Sequence, residues 1–127
     1  MAHATIEWTA NLAGVFDLDA LMRLIANQMR LHSDGVFPTG GIRVRGYRVD
    51  DYVIADGACD EDAFINIDVK MGAGRSAAFR KVFFDALFDE IRNFLGDLFD
   101  RCPLALSMYV EEVEGWKHNS IHKRLKG

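Results

Sequence analysis

The sequence is short of cysteine, proline and positive charge. Cys59 and Cys102 are its only cysteines, lie far apart and belong to no CxxC pair, so both are expected to be reduced structural thiols of an intracellular chain. A formal net charge of -4 and a pI of about 5.5 provide no overall field that favours a polyanion, and nucleic acid is not an expected partner. No window approaches eighteen consecutive apolar residues, and residues 1–7 lack a basic stretch followed by an apolar one. Neither membrane insertion nor export is expected, and the cytoplasm is the expected location. What is present is ordinary globular composition, with 50% hydrophobic and 27% charged residues in 127 positions. That length suits one core and a single domain over residues 1–127.

Hydrophobic periodicity divides the chain into elements. Residues 3–9 alternate as a strand, with Ala4, Ile6 and Trp8 on one face and Thr5, Glu7 and Thr9 on the other. Asp17 or Asp19 can cap a following helix, in which Leu18, Leu21, Met22, Leu24, Ile25 and Met29 recur at helical spacing, with His32 as a further candidate and an end near Ser33. Gly, Pro and Asp in residues 34–41 demand a connection, after which residues 42–49 alternate again, with Arg43, Arg45 and Tyr47 opposite Ile42, Val44 and Gly46.

The order then repeats. Residues 63–71 read as a strand, Ser76 as a cap, and residues 77–100 as one long helix with a broad apolar stripe running from Phe79 through Val82, Phe83, Leu87, Ile91 and Phe94 to Leu98. Pro103 stops it, residues 104–113 suit a last strand, and residues 117–126 form a basic tail. The expected fold is therefore α/β, two strand-helix-strand halves of about sixty residues each (about 1–60 and 61–127). Unpaired sheet edges and the wide apolar stripe predict a closed homo-oligomer.

Candidate chemistry concentrates on cations. Gly72-Ala73-Gly74-Arg75-Ser76 is a glycine-rich turn between a strand and a helix, where free N–H groups, the helix dipole and the Arg75 fork all suit an anion such as a carboxylate. Its match to G-x-G-x-x-A does not predict a dinucleotide fold, because no second strand with an acidic residue follows about twenty positions on. Arg43 and Arg45, two apart on a strand, share a face and together also suit anions. The acids Asp56, Asp60, Glu61 and Asp62 lack calcium-loop spacing, and His118 and His122 lack a third zinc ligand, so no metal is expected. His3 and His32 read as structural histidines.

These segments carry a resemblance. Asp34-Gly35-Val36-Phe37-Pro38-Thr39-Gly40-Gly41-Ile42-Arg43-Val44-Arg45, Ala55-Asp56-Gly57, Gly72-Ala73-Gly74-Arg75-Ser76, Leu104-Ala105-Leu106-Ser107 and Asn119-Ser120-Ile121-His122 together resemble the 5-carboxymethyl-2-hydroxymuconate isomerase family of the tautomerase superfamily. The resemblance implies a duplicated β-α-β fold, a homotrimer, no cofactor, and cofactor-independent double-bond isomerisation of an unsaturated di- or tricarboxylate in aromatic-acid (homoprotocatechuate-type) catabolism. It implies an N-terminal amine as the base, here Ala2 where the family has proline, with Arg43 and Arg75 as its catalytic partners and Arg45, Phe37 and Gly74 binding substrate. A member that kept the cationic pocket but lost turnover would instead bind small acids.

Overall fold

The computed structural model describes residues 1–125, so Lys126 at the end of the expected basic tail lies outside the described residues. Four strands form one sheet in the order β2-β1-β3-β4, where β1 is Ala2–Thr9, β2 Ile42–Val49, β3 Ala63–Gly72 and β4 Leu104–Val113. β1 and β2 run parallel, as do β3 and β4, while the central pair β1 and β3 is antiparallel with Ile6 opposite Ile67. Each parallel pair is bridged by helix: α1 (Leu18–Leu31) in the first half, α2 (Ala77–Phe94) and α3 (Gly96–Arg101) in the second. Two β-α-β units thus meet along β1 and β3, as the repeated hydrophobic pattern predicts.

Caps and periodicity explain the helices. The Asp17 carboxylate accepts from the Ala20 N–H at 3.0 Å and the Ser76 hydroxyl from the Phe79 N–H at 3.0 Å, each occupying a donor that the first helical turn leaves free. Leu21, Ile25 and Met29 of α1 and Phe83, Phe84, Leu87 and Ile91 of α2 are buried, at the i, i+4 spacing of an inward face. They join Ala2, Ala4 and Ile6 of β1 and Ile65, Ile67, Val69 and Met71 of β3 in one core. Each large side chain removed from water there contributes about 1.5–3 kcal/mol.

The structure departs from the pattern at four places. The second helix is not continuous to residue 100. It breaks at Leu95, whose ψ of 5° leaves the helical range, and Gly96 opens α3. The break lets Leu95 and Leu98 both turn into the core, and glycine's weak helix preference makes the interruption inexpensive. Val82, Phe94 and Phe99 face outward, because the line through Phe83, Leu87 and Ile91 is the one that meets the sheet. Thr9, expected on the polar face, is fully buried, and its hydroxyl accepts from the Phe64 N–H at 3.2 Å where the chain leaves β1. Cys59 is exposed, so only half-buried Cys102 has the packed role expected of both thiols.

Strand direction sets up the site. β1 and β2 begin at the same end of the sheet, with Ala2 opposite Ile42. β3 and β4 finish there, with Met71 opposite Ala2 and Gly72 opposite Val113. Two strand starts, one glycine-rich turn and the root of the C-terminal tail therefore share one end.

Candidate active site

The amino terminus lies against Gly41 of a short turn. After Pro38, residues Thr39–Gly41 make a short 3-10 turn in which Gly40 and Gly41 are buried. A side chain at Gly41 would place its Cβ 3.3 Å from the Met1 Cα and 3.7 Å from the Met1 nitrogen. The terminal amine's pKa is lowered from its ordinary 8.0, first by burial and then by the charges of Lys117, Arg75 and Arg43. Its neutral form, the form able to accept a proton, is correspondingly favoured.

Arg43 extends from the start of β2. One terminal nitrogen, Nη1, donates to the Gly41 carbonyl at 3.3 Å and lies 3.2 Å from His3 Nε2. Arginine has no lone pair to offer, so the imidazole is the acceptor in this contact. Burial, then Arg43, Arg45, the terminal amine and Lys117 all lower the His3 pKa, keeping the ring neutral and fit for that role. Nε and Nη2 of Arg43 remain available to a ligand. Arg45 lies two residues along the same strand face and is exposed.

Arg75 is held more tightly. Nη1 donates to the Gly72 carbonyl at 2.8 Å and Nη2 to the Val36 carbonyl at 3.2 Å, while the guanidinium carbon lies 5.3 Å from the centre of the Phe37 ring. Gly74 makes the turn possible with φ of +111°, a conformation that side chains disfavour. A depression of about 410 Å³ opens beside it, lined by Val36, Ala73, Gly74, Arg75, Ser76 and Phe79. Phe37 is 1% exposed, so it reaches this site as the floor beneath Arg75 and offers no open surface.

Among the described residues no carboxylate pairs with Arg43, Arg45, Arg75 or Lys117, while Glu111 and Glu112, at the same end of the sheet, pair with Lys70 and Arg80. Several uncompensated cations around one amine, on a chain with net charge -4, make a local field that selects small anions. The acids 56–62 form no metal cluster, since no group of three potential ligands occurs among the described residues. A second depression of about 290 Å³, lined by Asn11, Asp60, Glu61 and Cys102 among others, lies at the opposite end of the sheet and carries acids on its rim.

Two contributors were not singled out for this site from sequence. His3 read only as a structural histidine, and Lys117 only as part of a basic tail. His3 follows the terminal amine by two residues and alternates onto the face of Arg43, which was a readable signal. Lys117 is far along the chain from both Arg43 and Arg75, and no spacing rule connects them.

The duplicated β-α-β sheet with a cationic end around its first strand is a tautomerase-superfamily fold. A member of the cis-3-chloroacrylic acid dehalogenase family shares it at a TM-score of 0.62 and 18% identity, over 89% of this chain and 76% of the other. The family model of 5-carboxymethyl-2-hydroxymuconate isomerase matches residues 2–125. The 5-carboxymethyl-2-hydroxymuconate Delta-isomerase of Escherichia coli is 33% identical over 99% of this chain and 100% of its own. The crystal structure of a 5-carboxymethyl-2-hydroxymuconate isomerase from Deinococcus radiodurans R1 superposes with a TM-score of 0.90 at 35% identity, covering 99% of this chain and 95% of that one. This chain belongs to the 5-carboxymethyl-2-hydroxymuconate isomerase family. No helix among the described residues is long and apolar enough to cross a membrane.

Proposed function

We propose that the chain is a cofactor-independent isomerase that moves a double bond in an unsaturated 2-hydroxy di- or tricarboxylate of aromatic-acid catabolism in the cytoplasm. The observation that carries this reading is that the start of β1, Arg43 and Arg75 share one end of the sheet, neither arginine having a carboxylate partner, and that the lowered pKa of the Met1 amine marks the field that an amine at Ala2 would meet. In the reaction the neutral amine takes a proton from the conjugated hydroxy acid and returns it at a carbon further along. The enol becomes a ketone, and no atom or electron is gained or lost. Arg43 and Arg75 hold the carboxylates and stabilise the dienolate as its charge develops. Arg45 and the backbone at Gly74 border the bound acid.

The catalytic amine in this reading belongs to Ala2 after removal of Met1, which moves the nitrogen by about 3.8 Å along the chain. Ala2 is fully buried and already aligned against Ile42 and Met71, so a new terminus there starts inside the sheet. A second reading rests on Met1, which lies against Gly41 in front of Ala2. Where it is retained, the cations persist without a correctly placed base, and the protein binds small acids without converting them.

We further propose a homotrimer. β2 and β4 leave their outer edges unpaired, and Tyr47 and Tyr109 stand 54% and 65% exposed on the sheet face away from the helices.

Intact-mass measurement shows whether Met1 is removed, and ultraviolet monitoring of a 2-hydroxymuconate-type substrate shows ketonisation. Turnover by protein lacking Met1 is the expected result. Absence of turnover in such protein, with retained binding, selects the second reading.

A further inference from the structure

We propose that residues 116–125 complete the substrate site, and that Lys117 is a third carboxylate-binding cation that selects tricarboxylates over dicarboxylates. The inference rests on the isomerase-site reading above and adds its charge specificity.

The segment is anchored to the loop that receives the amino terminus. Asn119 Nδ2 donates to the Gly40 carbonyl at 2.7 Å, and Asn119 Oδ1 accepts from the Ile121 N–H at 2.9 Å. The His122 ring packs so closely on Gly40 that an added Cβ there would collide with Nδ1. Gly40 thus meets the tail while its neighbour Gly41 meets Met1. Lys117 is two residues before the Asn119 anchor, within about 7 Å of chain. The Lys117 side chain is exposed, and its charge is among those that lower the pKa of both the terminal amine and His3. No described carboxylate pairs with it.

Charge matching supplies the specificity. A 5-carboxymethyl-2-hydroxymuconate has three carboxylates, and 2-hydroxymuconate has two. The amine must be neutral to act as a base, so it cannot serve as a counterion. Arg43 and Arg75 account for two carboxylates and Lys117 for the third. Arg45 is the rival, since it is exposed one pleat beyond Arg43 on the same strand face.

The test compares Lys117→Ala, Lys117→Arg and Arg45→Ala on both substrates. Lys117→Ala should lower kcat/KM about tenfold more for the tricarboxylate than for the dicarboxylate, the size of one charged hydrogen bond, on top of whatever common change the altered amine brings to both. Lys117→Arg should restore most of the difference. Asn119→Ala keeps the charge but frees its anchor, and should reproduce part of the selective loss. An equal fall on both substrates, no fall, or selective loss in Arg45→Ala instead would overturn the assignment.

A binding measurement separates this from failure of the isomerase reading. Calorimetry with tricarballylate and glutarate reads the same selectivity without turnover. Wild-type preference for tricarballylate that Lys117→Ala removes supports the third cation even in a protein that converts neither substrate. An unchanged preference rejects it.

Discussion

The guanidinium of Arg75 stacks over Phe37, its central carbon 5.3 Å from the ring centroid, while that ring is itself wedged edge-on against Phe79 and Phe83. The aromatic cluster of the core therefore reaches up to form the floor of the cationic site. Packing in the core and placement of the arginine are mechanically one feature.

Replacing Phe37 with leucine should cost stability and substrate binding together. The lost ring leaves a partly filled space and removes the cation-π contact, for a combined loss of about 2 kcal/mol. Urea unfolding should show a lower midpoint with unchanged slope, and kinetics should show a raised KM. A destabilised variant with wild-type KM would mean that Arg75 holds its place without the ring.

Arg75→Lys keeps the charge but loses the planar fork and at least one of the two carbonyl bonds to Gly72 and Val36. We expect kcat/KM to fall about 100-fold, divided between kcat and KM because the group serves both binding and the developing dienolate. Steady-state kinetics provide the measurement, and a loss below about threefold would remove Arg75 from the reacting centre.

His3 gives the site a pH limit on its acidic side. Its folded pKa is below the ordinary 6.5 because burial and the charges of Arg43, Arg45, the amine and Lys117 oppose protonation. The unfolded chain therefore takes up this proton at higher pH than the folded one. The contribution to stability is complete above about 6.5 and is lost as pH falls towards the folded value. An NMR titration should give a His3 midpoint below 6.5, and in His3→Ala the arginine loses its acceptor, so KM should rise. A midpoint at or above 6.5 would contradict the neutral acceptor assigned to Nε2.

Ala2→Pro supplies the ring that the sequence resemblance implies at this position and should increase isomerase rate in protein lacking Met1, because the ring fixes the first torsion and supplies a secondary amine. In protein retaining Met1 the same change should give no rate gain, since the proline nitrogen is then a peptide nitrogen with no proton to exchange, and Ala2 is the first residue of β1, where proline is tolerated. Intact mass, a thermal melt and the ultraviolet assay on the same samples distinguish the two. No rate gain in fully processed protein would count against the terminal amine as the base.

Much of the fold was legible because the relevant forces are local. β2 occupies the residues that alternation marks and β4 those whose apolar, β-prone composition suits a strand, and Asp17 and Ser76 cap the helices they precede, since strand preference and capping depend on neighbours in the chain. The break at Leu95 was not legible, because a continuous apolar stripe fits one helix as well as two. It took the curvature of the packed sheet and core to turn both Leu95 and Leu98 inward. Thr9 likewise reads as polar until β3 brings the Phe64 N–H to its hydroxyl.

Sequence by itself determined the elements, their repeated order, and the chemistry of the candidates, two arginine-bearing segments suited to carboxylates. It could not determine that these segments meet. Arg43 and Arg75 are joined to the amino terminus only through the parallel register of Ala2 with Ile42 and the antiparallel register of Ala2 with Met71. Lys117 arrives only because β4 runs parallel to β3 and finishes at the same end. Charge attraction could not have assembled the cluster, since its members repel one another. Burial of the apolar strand faces decides the register, and the register places the cations together.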